Sequence, residues 1–166
     1  MATGITNIDT DTTGQILGRD ADKKLYIVSG SDSLLIKDEW SDTAVSWLEY
    51  SNDWGNGYNK REAIAVEAVT SDSGTITGYK LAVKNSMKNG DSPVQVTWDI
   101  YYFDANAKYK SSFSGPNGQM VQAVETGVKS IGLYEKDVFH QDLNGDKYLG
   151  LDLSSFTVLS TDTQGI

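Results

Sequence analysis

The chain has 166 residues, no cysteine, a single histidine and a formal net charge of −9. That length suits one domain with a sizeable core, while the inventory excludes a disulfide framework, a thiolate zinc site and a multi-histidine metal site. An acidic surface repels nucleic acid and anionic membranes and suits divalent cations, and no apolar run approaches the roughly 20 residues of a membrane span.

The first feature in chain order is an echo between the two ends. Residues 5–14 and 156–165 align without gaps, with Thr6/Thr157, Thr10/Thr161, Asp11/Asp162, Thr12/Thr163 and Gly14/Gly165 identical. Ile5/Phe156 and Ile8/Leu159 stay apolar. The echo predicts a tandem array. Residues 1–155 form a single repeat unit, and residues 156–166 form the first strand of the next. A strand of this kind at a sheet edge invites pairing with another chain, hence head-to-tail self-association.

Residues 15–38 alternate short apolar runs with turns, which predicts strands at 25–28 and 34–36. The most aromatic stretch follows, with Trp40, Trp47, Tyr50, Trp54 and Tyr58 interleaved with Asn52, Asp53 and Asn56. It is read as loops and a strand around 45–50. Residues 62–103 carry the clearest sheet signal, with strands expected at 63–69, 75–84 and 94–103. In the last of these, Val94, Val96 and Trp98 fall on one face and Tyr101 and Phe103 on the other. Residues 104–108 read as a hairpin loop into a strand at 109–113. After the break at 114–118, Val121, Val124 and Val128 suit a helical face, and a short helix is expected around 133–141.

That helix leads into the most informative stretch. Asp142, Asn144 and Asp146 stand at every second position, the spacing by which a Ca²⁺ loop points hard oxygen ligands inward. Tyr148, at position seven, offers its backbone carbonyl, and Asp152 is the nearest late carboxylate. The full EF-hand pattern has Gly at position six and Glu at position twelve. This chain has Lys147 and Leu153 there, with Gly145 at position four.

With its surroundings, the loop resembles a known repeat. Residues 98–104, then about one short helix, then Phe139, Gln141, Asp142, Leu143, Asn144, Gly145 and Asp146 are similar to the tryptophan-rich C-terminal-type repeat domain of large secreted cyanobacterial and other bacterial proteins. Residues 62–67 and 78–84 fit the same pattern, so the resemblance covers most of the chain. It implies an EF-hand- or dockerin-like calcium loop, a tandem arrangement and an extracellular or cell-surface location. It implies no settled activity.

The expected fold is mainly β, an antiparallel sheet domain with one or two short helices. The expected function is a calcium-stabilised module serving spacing, adhesion or assembly, with Ca²⁺ as the cofactor. The alternative is a carbohydrate-binding module, in which Trp47, Tyr50, Trp54 and Tyr58 stack on the apolar faces of a glycan or cell-surface polymer. Glu62, Glu67, Asp99 and Glu135 offer carboxylates for hydrolysis, but their spacing selects no pair. The chain is therefore read as a non-enzyme, with neither nucleic acid nor membrane insertion expected.

Overall fold

The computed structural model describes residues 4–9, 14–114, 120–122, 124–128 and 131–150. The fold is mainly β and antiparallel. The first sheet comprises β1 (Thr6–Asn7), β2 (Ile16–Arg19), β3 (Leu25–Ser29) and β4 (Asp32–Leu35), in that order. Alternation in β3 sends Leu25 and Ile27 inward and turns the half-buried Tyr26 and Val28 to the other face, as a sheet with one wetter face requires.

The second sheet is built on three long strands. β5 (Tyr50–Trp54), β6 (Gly57–Thr70), β7 (Ile76–Lys88) and β8 (Gln95–Asp104) follow one another by hairpins. A small hairpin of β9 (Ser112–Ser114) and β10 (Met120–Gln122) intervenes, and β11 (Val124–Val128) returns to β8, giving the order β11-β8-β7-β6-β5. One face of this sheet packs on the first sheet. Ala63, Val66, Leu81, Val83, Tyr101 and Phe103 meet Leu17, Leu25, Ile27 and Ile36 there. The other face, carrying Ala65, Ala82, Trp98 and Ile100, is covered by Ile131 and Phe139. The long strands are therefore apolar on both sides near their middle.

In β6 a bulge marks the same stretch. Ala63 pairs with Val83 and Ala65 with Ala82, so Ile64 is the extra residue. The alternation of β6 shifts there: Ile64 and Ala65 both face the second core, and Ala63 and Val66 the first.

The expected strand at 45–50 is not formed. Val45 and Leu48 are buried as anchors of a loop, and the strand begins at Tyr50. The valines at 121, 124 and 128 lie on strands rather than on a helix. β-branched side chains favour this arrangement, and β8 offers an open edge for β11. The short helix is present as α1 (Gly132–Tyr134), which widens into a π-helical turn, Glu135–Phe139. Among the described residues no helix is long and apolar enough to cross a membrane.

Of the two terminal segments that echo each other, residues 5–9 are partly seen. Ile8 packs against the first core, its N–H donating to Leu17 O at 2.7 Å. The buried Asp9 carboxylate accepts from Leu17 N and Val66 N at 3.2 and 3.4 Å. The second copy, residues 156–165, lies outside the described residues, and with it the domain boundary at 155.

Candidate metal centre

The helix that precedes the acidic loop is held by its apolar stripe. Ile131 and Phe139 are 1% and 0% exposed and press on the second core. Residues four apart share a helical face, so Glu135 falls in the middle of that stripe. It is 0% exposed.

His140 then takes a left-handed conformation, φ 52°, and turns the chain back. The reversal brings the N–H groups of Leu143 and Asn144 onto Glu135 Oε1, each at 2.9 Å. Glu135 Oε2 is buried and has no hydrogen-bond partner among the described residues. Burial pushes the Glu135 pKa up. The two N–H groups oppose that rise, while Asp146 and Asp142 are close enough to add to it by repulsion.

The loop winds around its own side-chain oxygens. Asp142 accepts from Gly145 N at 2.6 Å and from Lys147 N at 2.8 Å. Asn144 Oδ1 accepts from Asp146 N at 2.8 Å, and its amide donates to Asp146 Oδ2 at 2.9 Å. Asp146 Oδ1 accepts from Tyr148 N at 2.9 Å. Lys147 occupies the left-handed region, φ 73°, and so supplies the turn that glycine makes at position six of an EF-hand. Gly150 closes the loop against the Lys136 stem, where an added Cβ would lie 3.6 Å from Lys136 Cβ and Cδ.

The structure thus brings Asp142, Asn144 and Asp146 into one coil, with the Tyr148 backbone at its end and its phenol half exposed. Asp152 lies outside the described residues. Among those described, no group of three or more His, Cys, Asp or Glu side chains is arranged as a metal cage. The donors here are carboxylates, one amide and backbone carbonyls, the hard-oxygen set that Ca²⁺ takes. Glu135 Oε2 is a buried anionic oxygen without a partner, which a divalent cation would satisfy. The donor types suit that ion, while the three carboxylates Glu135, Asp142 and Asp146 are not gathered into a cage. Glu135 enters from the helix before the loop, whereas the EF-hand glutamate comes after it. Its signal in the sequence is the i, i+4, i+8 series Ile131–Glu135–Phe139.

The four aromatics of 47–58 are not brought together. Trp47 is packed edge-on to Tyr101 and Tyr109, with ring centroids 5.1 Å apart in both cases. Tyr50 and Trp54 share the exposed face of β5, whereas Tyr58 opposes Asp53 and points to the other side. The acidic residues also separate. Asp99 pairs with Arg61 at 2.7 Å and Glu62 with Lys60 at 2.7 Å, on opposite faces of the sheet.

Compared with family models, curated proteins and solved structures, the chain matches none of them. The functional reading therefore rests on the chain's own residues.

Proposed function

We propose that the chain is a Ca²⁺-stabilised extracellular module of a large secreted or cell-surface protein, serving spacing, adhesion or assembly. The observation that carries the reading is Glu135. A carboxylate at 0% exposure with one oxygen unpartnered is costly to keep ionised, and two further carboxylates stand beside it. A cation seated among Glu135, Asp142, Asn144 and Asp146 offsets all three charges. It also ties the end of the helix to the loop that follows, and the helix to the sheet through Phe139. The sequence echo between residues 5–14 and 156–165 supports the tandem arrangement.

The test is thermal unfolding with Ca²⁺ and with chelator. An ion bound only by the folded state at 100 times its Kd stabilises by about 2.7 kcal/mol. The melting temperature should therefore rise with Ca²⁺, and the double change Asp142→Ala and Asp146→Ala should remove the response. Identical melting curves with and without chelator would overturn the proposal.

A further inference from the structure

The large sheet is longer than the small sheet that covers one of its faces. Past Ala63 and Val83 that face grows steadily more exposed, from the half-buried Arg61, Asn85 and Thr97 to the exposed Met87 and Gln95, and its composition changes. Tyr50, Arg61, Asn85 and Thr97 form one row across four strands. Asn59, Met87 and Gln95 form the next row outward. A cavity of about 340 Å³ with mixed polar and apolar walls lies over these rows, within the range of small-ligand sites, about 300–1,000 Å³.

Three properties of this face select its occupant. The first is charge. Arg61 and Asp99 are the ionisable pair at its floor, bonded to each other at 2.7 Å, and Arg61 also donates to the Tyr101 hydroxyl. The remaining polar groups are neutral. The second is hydrogen-bonding capacity. The Asn59 amide is spent on Tyr50 Oη at 3.2 Å, but the side chains of Asn85, Gln95 and Thr97 make no hydrogen bond to another described residue. Each primary amide presents a donor and an acceptor side by side, the pattern that adjacent hydroxyl groups of a sugar ring complement. The third is the apolar rim. Tyr50, Trp54 and Met87 are 44%, 40% and 44% exposed. The Trp54 indole lies across Gly57, where a Cβ would fall 2.7 Å from its Nε1. Glycine thus lets the ring settle on the strand with surface left for a ligand.

We propose that this face binds a neutral sugar chain. Trp54 and Tyr50 meet the apolar C–H faces of the pyranose rings, and Asn85, Gln95 and Thr97 bond the hydroxyl groups. An anionic polymer would need a free cation on this face, and Arg61 is committed to Asp99. The proposal goes beyond the Ca²⁺ reading and does not depend on it, since the acidic loop adjoins the helix on the opposite face of the sheet.

The test is native affinity electrophoresis in chelator. The gels contain hydroxyethylcellulose, mixed-linkage β-glucan, xyloglucan, galactomannan or dextran, with alginate as the anionic counterpart. At least one neutral polymer should retard the intact chain. Trp54→Ala and Asn85→Ala should each weaken retardation about tenfold or more, equivalent to about 1.4 kcal/mol, and Asn85→Ala should melt like the parent. Trp40→Ala, at an 86% exposed site away from this face, should change nothing. Retardation by none of the neutral polymers, by alginate alone, or undiminished in Asn85→Ala would overturn the proposal. A Ca²⁺-insensitive melting curve would leave it standing.

Discussion

Glu135 carries a charge that its surroundings do not balance, and its response to pH follows from that. Burial raises its pKa above the ordinary 4.5, the N–H groups of Leu143 and Asn144 oppose the rise, and Asp146 and Asp142 reinforce it. A carboxyl with a raised folded-state pKa binds its proton more tightly when folded than when unfolded. Its destabilising effect is present in full above the folded value and is relieved as pH falls toward about 4.5. Ca²⁺ bound as proposed would reverse the sense, because it would hold the ionised form and acid would expel it. Glu135→Gln keeps an acceptor for the two N–H groups and removes the titration. Without metal at pH 7, E135Q should be the more stable form, by on the order of 1 kcal/mol, and its advantage should shrink as the pH falls toward about 4.5. With Ca²⁺ at pH 7 the parent should be the more stable. Paired melting curves across this range check both signs, and an advantage for E135Q that is independent of pH and metal would contradict the account.

At the scale of elements, Phe139 fastens the helix to the large sheet. That ring is 0% exposed among Ala65, Ala82, Trp98 and Ile100. Phe139→Ala should cost about 3–5 kcal/mol and should also weaken the calcium response, since the loop begins at the next residue. Chemical denaturation with and without Ca²⁺ measures both, and an unchanged midpoint would place the helix outside the cooperative unit. The long strands were legible from their apolar content, and the two faces of 94–103 were assigned correctly from alternation alone. Tyr50–Trp54 was not legible, because all five of its residues are exposed and an edge strand of this kind is held by pairing, with no apolar period to betray it. Val45 and Leu48 misled for the converse reason, being buried without belonging to a strand. The acidic coil was legible from the spacing of Asp142, Asn144 and Asp146. Glu135 was not, since a lone carboxylate in an apolar stripe declares its burial only once the sheet beneath it is known. The amide-lined rows were hidden too, because Asn85 and Gln95 come from separate strands and meet only through register.

At the scale of the whole molecule two sheets pack face to face, and the outer strand of the four-stranded sheet bears on assembly. Among the described residues β1 pairs with β2 at Thr6 and Asn7 and is the outermost strand of its sheet, an edge that another strand can extend. If residues 156–165 repeat the role of residues 5–14, the tail of one molecule can add to the head of the next. Deleting residues 156–166 should then abolish self-association of the intact chain in Ca²⁺ while shifting the melting temperature little. Sedimentation at rising concentration decides this, and an intact chain that stays monomeric would refute head-to-tail pairing. The placement of the indoles has an optical consequence. Trp98 is 7% exposed under the helix, whereas Trp54 is 40% exposed on the opposite face. Emission from Trp98 should shift to the red when the helix lifts and should be shielded from acrylamide while it stays down. Trp54 should be open to the quencher until a ligand covers it, so in a Trp40→Phe, Trp47→Phe background the two remaining indoles report separately on the two sides of the large sheet.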